Sequence, residues 1–407
     1  MRNVVASVIL VVAGLGPATA GAPPPGTVRI ATFNCSLNRP TLGGLRTSLA
    51  TPDDAQARAV AEIIQRVRPD ILLLQEFDYD ADGVSMAEFQ KNYLGVSQNG
   101  QKPLELPHSF SAPSNTGEPS GFDLDHDGKV GGGGDALGFG EFPGQYGMAV
   151  FSIYPIAPDR TFREFLWRDM PGAALPPNWY TPEQLAVLPL SSKSHWDLRV
   201  ATGSTAVLHL LVSHPTPPAF DGPEDRNGRR NHDEIRFWSD YLSGARYIRD
   251  DAGSRGGFGG SFIIMGDQNS DPVDGGSRND AIRALLAHRR VNSRFVPSSA
   301  GAPEAAAEQG GANASQHGDP SNDTADFNDR VAGNLRVDYL LPSKDLRVCG
   351  GGVFWPSKAE REARLVWGDS PPPSSDHRLV WIDVIAGGAR CPPGSDPTAS
   401  ASSRPRH

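Results

Sequence analysis

Eight polar side chains stand at or beside the ends of apolar runs, a pattern that gathers functional groups at one edge of an α/β scaffold. Asn34 follows the run 28–33, and Glu76 lies just beyond the run 71–74. His214 closes the run 207–213, and Asp267 and Asn269 follow 262–266. Asp338 lies inside 336–341, while Asp376 and His377 come just before 379–385. Their types fit one reaction, metal-assisted hydrolysis of a phosphate ester. A hard cation such as Mg²⁺ (or Mn²⁺) takes oxygen ligands, usually one or two carboxylates plus water and substrate phosphate. Glu76 is the expected direct ligand, with Asn34 and Asp376 in support. Phosphoryl transfer then needs an in-line water and donors for the charge on the phosphate oxygens. Asp267 is expected to act on the water. Asn269, His214 and His377 are expected to supply donors, and Asp338 to orient a histidine. A serine-hydrolase reading is set aside because no Gly-x-Ser-x-Gly occurs.

Two further clusters carry weaker signals. Arg226, Arg229 and Arg230, with Asn231 beside them, follow His214 in what reads as one loop before a helix. Guanidinium forks suit phosphate oxygens, so a substrate contact is one expectation. The other is a solvated surface with the arginines paired to Glu224 and Asp225. Asp123-x-Asp125-x-Asp127-Gly128 has the first half of a calcium loop, but Gly134 occupies the closing position and Asp135 comes one later. A structural Ca²⁺ there is an open expectation. Asp78-x-Asp80-x-Asp82 reads instead as an acidic turn before a helix near Ser85. His195 reads either as a site neighbour or as a satisfied structural histidine.

The elements that must position these groups are legible as patterns. The run 28–33 alternates like a strand. Residues 54–68 place Ala59, Ile63, Ile64 and Val67 on one helical face, and Pro69-Asp70 stops that helix. The apolar strand 71–74 follows, so a strand–helix–strand unit opens an α/β fold. Runs 147–153, 207–213, 262–266, 336–341 and 379–385 are further buried strands, and 233–249 and 279–286 read as helices. Segment 97–145 reads as mostly loop, and 298–332 as a long loop or insertion. This order predicts a sheet sandwich flanked by helices.

The bulk numbers set bounds. The chain has 407 residues, 38% of them hydrophobic, with 45 Gly and 36 Pro, which predicts a sizeable core among long loops. A formal charge of -9 gives no footprint of a general nucleic-acid binder, though a local basic groove is compatible with it. Arg2, the apolar run 4–15 and Ala18-Thr19-Ala20 predict a secretory signal over 1–20. The run is shorter than the ~20 residues of a membrane span. In an oxidising compartment, Cys349 and Cys391 are the better expected disulfide, and Cys35, in an apolar strand, a buried small hydrophobe. One catalytic domain is expected over 27–386, followed by a disordered tail over 387–407.

Thr32-Phe33-Asn34, Gln75-Glu76, Gly266-Asp267-Gln268-Asn269 and Ser375-Asp376-His377 resemble, in type and order, the motifs of the endonuclease/exonuclease/phosphatase superfamily. Pancreatic-type deoxyribonucleases, abasic-site endonucleases, sphingomyelinases and inositol-polyphosphate phosphatases are relatives. The segments 213–218, 224–231 and 333–339 are similar to secreted bacterial members. The resemblance implies a four-layer α/β sandwich, two mixed β-sheets face to face between helices, with the site at one edge. It also implies roles: Glu76 on the metal with Asn34 and Asp376, Asp267 on a water that Asn269 orients, and His214 and the Asp338-paired His377 on the scissile phosphate. One departure stands out. The glutamate that pairs with the catalytic histidine in pancreatic-type deoxyribonuclease has no clear equivalent around Gln145-Tyr146-Gly147.

The expected protein is therefore a secreted, divalent-metal-dependent phosphoesterase, with an extracellular nuclease as the first reading. A phospholipase C or sphingomyelinase-like enzyme, or a small-molecule phosphatase, is the second. A catalytically inactive, calcium-bound extracellular binding module is the alternative of another class; it calls for loss of a site residue, and all eight are present.

Overall fold

The computed structural model describes residues 21–202, 207–368, 372–386, 389–393 and 395. The signal expected over 1–20 and most of the tail expected over 387–407 lie outside the described residues. The strands, in chain order, are β1 (Val28–Asn34), β2 (Ile71–Gln75), β3 (His108–Phe110), β4 (Met148–Ser152), β5 (Ile156–Thr161), β6 (His195–Ala201) and β7 (Val207–Ser213). They continue with β8 (Ser261–Asp267), β9 (Ala325–Asp326), β10 (Asn334–Leu335), β11 (Asp338–Pro342), β12 (Leu346–Val353) and β13 (Val380–Ala386). The helices are α1 (Gly44–Leu49), α2 (Ala55–Val67), α3 (Val84–Phe89), α4 (Pro182–Leu185), α5 (Arg226–Leu242), α6 (Asp280–Ala287) and α7 (Gly301–Gln309).

Two mixed sheets face each other. One has the order β12-β13-β1-β2-β4-β3, the other β11-β8-β7-β6-β5. Alternate residues of the second sheet feed two different cores, as the two-residue period of a strand requires. Leu210, Val212, Ile263, Met265 and Leu340 pack inward against the first sheet. Leu211, Phe262, Ile264, Tyr339 and Leu341 pack outward under α5 and α6, against Ile235, Trp238, Ile282 and Leu285. On the far side α2 covers the first sheet with Val60, Ile63, Ile64 and Val67. The result is the expected four-layer α/β sandwich, helices outside two sheets.

Local signals explain the element ends. The Asp54 side chain caps α2 by accepting from Ala57 N at 2.8 Å, and Arg68 closes it in the left-handed region at φ 54. Asp80 accepts from Val84 N and Ser85 N at the start of α3, so the acidic turn after Glu76 is a helix cap.

Three readings need correction. The helix expected at 233–249 is α5, which begins at Arg226 and ends at Leu242. Its first two turns bury Arg230, Asn231, Asp233 and Glu234, so no apolar period marks them, and Gly244 at φ +82 stops it early. Segment 298–332 is not a bare loop, since it holds α7 and β9. Strands β5, β6 and β12 were not legible as runs. β6 alternates Trp196, Leu198 and Val200 with charged residues, and β12 is interrupted by three glycines and a register shift at Val348/Gly350.

Candidate active site

Strand polarity brings the predicted residues to one edge. β1 and β2 are parallel, as are β7 and β8, so Asn34, Gln75, Ser213 and Asp267 all lie at C-terminal strand ends. β11 begins at that edge, with Asp338 opposite Asp267, and β6 begins there, with His195 opposite Ser213. β13 starts beside Thr32, which leaves Ser375, Asp376 and His377 just outside the same edge.

Asp267 is the hub. Its Oδ2 accepts from Asn34 Nδ2 at 3.1 Å and Asn269 Nδ2 at 3.4 Å, and lies 3.4 Å from His214 Nε2 and 3.7 Å from His377 Nε2. Its Oδ1 accepts from Asn269 N at 2.8 Å. His377 is held from behind, with Nδ1 2.9 Å from Asp338 Oδ2. Thr324, which no sequence pattern marks, fixes Asp338: its hydroxyl donates to Asp338 Oδ2 at 2.8 Å and accepts from Val337 N and Asp338 N. Phe327 meets the His377 ring edge-on at 5.3 Å.

Glu76 forms a second focus. Its Oε1 accepts from Asn34 Nδ2 at 3.1 Å and its Oε2 from Asn38 Nδ2 at 2.9 Å, a partner that sequence reading missed. Asp376 accepts from Ser36 Oγ at 3.1 Å, and Ser375 ties Asn34 O to His377 N. Glu76 and Asn269 both hold positive φ, 55° and 50°. Such backbone costs about 1–3 kcal/mol for a residue other than glycine and collects at functional sites.

The electrostatics split the two histidines. Burial pulls His214 down to about 4, and Lys193 adds to that, so the ring is neutral at pH 7. Burial also opposes charge on His377, but Asp338 and Asp267 outweigh it and raise its pKa well above the ordinary value. Asp267 is lowered in spite of its burial, because His377 and His214 favour its anion. Burial raises Glu76, and the like charge of Asp376 raises it further. A half-buried carboxylate repelled by a second one, with two amides against it and water-sized ligands to add, suits a hard divalent cation. Asp267, Asp338 and His377 also place ligand atoms within 4.8 Å of one another. Within that group His377 Nδ1 and Asp338 Oδ2 are already bound to each other, and Asp267 Oδ2 accepts from Asn34.

Not every expected residue reaches the site. Arg226 pairs with Glu224, and Arg229 Nε donates to Glu224 O at 3.0 Å. Arg230 is buried and donates to Leu190 O, Pro189 O and Leu137 O. These donors are spent on the protein, so the arginines serve the start of α5. Asn231 donates to Thr216 O at 2.8 Å and Gln268 O at 2.9 Å, behind the site. His195 is the satisfied histidine, its ring nitrogens 2.5 Å from Ser191 Oγ and 2.9 Å from Glu234 O. Asp123, Asp125 and Asp127 do converge, with ligand atoms within 4.8 Å. Asp135 closes their loop by accepting from Leu124 N at 2.6 Å and Gly131 N at 2.8 Å.

The sequence profile of the Endonuclease/Exonuclease/phosphatase family matches residues 31–377, the span from β1 to the site histidine. The chain belongs to this family. Its members hydrolyse phosphodiesters with a divalent metal, and this member is a metal-dependent phosphoric ester hydrolase. Solved structures similar to it include an endonuclease/exonuclease/phosphatase from Beutenbergia cavernae, 18% identical over 89% of this chain and 72% of that one, with a TM-score of 0.48. The human Nocturnin catalytic domain is 16% identical over 92% and 100%, with a TM-score of 0.44. Sphingomyelinase C from Streptomyces griseocarneus is 14% identical over 88% and 99%, with a TM-score of 0.41. No curated protein matches the chain.

Cys349 and Cys391 are bridged, with Cα atoms 5.4 Å apart. Cys35 is the buried thiol.

Proposed function

We propose that the protein is an exported nuclease that cleaves phosphodiester bonds by in-line attack of water. The convergence of Asn34, His214, Asn269 and His377 on a single oxygen of Asp267 carries this reading. Glu76, with Asn34 and Asp376, holds the Mg²⁺ or Mn²⁺, which when bound polarises the phosphate and offsets its charge. Asp267 orients the attacking water, aided by Asn269, and accepts its proton as the new P–O bond forms. The bond to the leaving oxygen breaks on the opposite side. His377, held cationic by Asp338, and neutral His214 donate to the phosphate oxygens as charge grows there.

Nucleic acid is favoured as substrate by an aromatic platform. Phe139 is 61% exposed and its ring centroid lies 6.4 Å from that of Tyr146, whose hydroxyl feels the charges of Glu76 and Asp78. Bases stack on such rings without sequence preference. Export is supported by the segment 1–20 and by the disulfide. A structural Ca²⁺ in the 123–135 loop is part of the same reading. A second reading, a lipid or small-molecule phosphodiester, is favoured by the internal pairing of Arg226, Arg229 and Arg230, which withholds these three from a basic track for a long duplex.

The test incubates mature protein with supercoiled plasmid, a single-stranded oligonucleotide and an aryl phosphodiester, each with Mg²⁺, Mn²⁺, Ca²⁺ or EDTA. Metal-dependent cleavage of nucleic acid, lost in Asp267→Ala, is the expected result. Turnover of the aryl ester alone would transfer the assignment to the second reading. Activity unchanged in Asp267→Ala would sink the mechanism.

A further inference from the structure

Lys193 is an anomaly of the same edge. It lies two residues before β6, whose first residue pairs with Ser213 next to His214. Its main chain is pinned on both sides. Lys193 O accepts from Asn115 N at 3.0 Å, and Ser192 donates to Glu234 Oε1 through N at 2.7 Å and Oγ at 3.1 Å. The loop carrying Gly138 closes so tightly on Ser192 that a Cβ at Gly138 would lie 1.9 Å from Ser192 O.

The lysine itself is only 7% exposed, yet its ammonium makes no hydrogen bond or ion pair with any described residue. The residue is buried while Nζ keeps a little access to solvent, and an ammonium so largely withdrawn from water is normally matched by an anion. Glu234 is the strongest compensating charge, but its two oxygens are already taken by Ser192 and by Thr216 N. Arg230 acts on Lys193 as a like charge, the remaining anions that act on it are Glu76 and Asp267, and Lys193 in turn acts on His214. Glu76, Asp267 and His214 mark the place of the scissile phosphate, so the missing partner of Lys193 has the position and the charge of that group.

We propose that Lys193 is a catalytic residue whose ammonium binds a non-bridging oxygen of the scissile phosphate beside His214. Because His214 is neutral, Lys193 and His377 are the two cationic donors that face the phosphate. A positive charge supplied there from a pre-set, buried position needs no reorganisation as negative charge develops. The inference rests on the phosphodiesterase reading for the identity of the anion.

The experiment compares wild type, Lys193→Met and Lys193→Arg as full mature chains. Hydrolysis of bis(p-nitrophenyl) phosphate with Mg²⁺ gives turnover, calorimetric titration with inorganic phosphate gives anion affinity, and thermal melting gives stability. Lys193→Met is expected to lower kcat by about 100-fold, the usual scale for one transition-state donor. It should weaken phosphate binding by about tenfold or more and melt no lower than wild type, since it removes an unpaired buried charge. Lys193→Arg should recover part of both losses. Turnover and phosphate affinity of Lys193→Met within about threefold of wild type would overturn the proposal. So would a Lys193→Met chain that fails to fold, or that melts lower with a loss Lys193→Arg does not recover, since either outcome assigns the side chain to structure. If wild type turns over no diester, the proposed function fails by itself. The phosphate titration then decides for Lys193, with binding lost in Lys193→Met supporting it and binding retained or absent overturning it.

Discussion

Asp323 shows how a single buried carboxylate can set a pH dependence. Among the described residues no hydrogen bond reaches its buried Oδ2, and burial, with Asp271, Asp274 and Asp319 adding like charge, raises its pKa to about 8. In the unfolded chain the same group loses its proton near about pH 4. Between those values the native state binds more protons than the unfolded state, so stability falls as pH rises through the window. Asp323→Asn removes that penalty. Its melting temperature should equal that of wild type near about pH 4 and exceed it by several degrees near about pH 9. A difference that stays constant with pH would show that Asp323 is not the source. The neighbouring Thr324 makes the complementary point, because its hydroxyl holds Asp338 and both adjacent amides although its sequence context is a polar loop.

At the scale of elements, α5 decides whether the edge of the second sheet is well formed. Glu234 accepts from Ser192 N, Ser192 Oγ and Thr216 N, so one helical carboxylate anchors the segments carrying Lys193 and His214. Glu234→Ala leaves buried amides without acceptors and should cost about 3–5 kcal/mol in urea denaturation. Activity should fall with it, because Ser192 and Thr216 lose their common anchor. A loss below about 1 kcal/mol would mean that Glu234 has replaceable partners. The helix also shows where periodicity fails. Ile235, Trp238 and Leu242 repeat at helical spacing and were readable, whereas Arg230, Asn231 and Glu234 face inward as polar groups whose acceptors and donors lie on distant loops.

Two large sheets close face to face, and the disulfide fastens the segment after β13 onto β12, the outermost strand of one of them. Bridging residues 42 apart removes loop entropy from the unfolded chain worth about 4 kcal/mol. Reduction, or Cys391→Ser, should lower the melting temperature markedly while leaving kcat unchanged, because neither cysteine lies among the side chains around Asp267 and Glu76. A fall in kcat at temperatures where the reduced protein remains folded would connect β12 and β13 to the site. Opposite faces of β7, β8 and β11 supply the inner and outer cores, which is why those strands read as apolar runs, broken in β7 only by His209.

The sequence by itself determined the α/β class, the main apolar strands and the polar residues at their ends. Local burial patterns and strand punctuation are written in neighbouring residues, and the family motifs sit on them. Only the tertiary structure decided which atoms share an oxygen of Asp267, that Arg230 spends its donors on carbonyls, and that Asn38 and Thr324 brace the site. It also decided that the ammonium of the largely buried Lys193 has no partner among the described residues. Those relations join segments up to some hundreds of residues apart, and the identity of a polar side chain does not reveal which distant group it meets once parallel β1–β2 and β7–β8 bring their ends together.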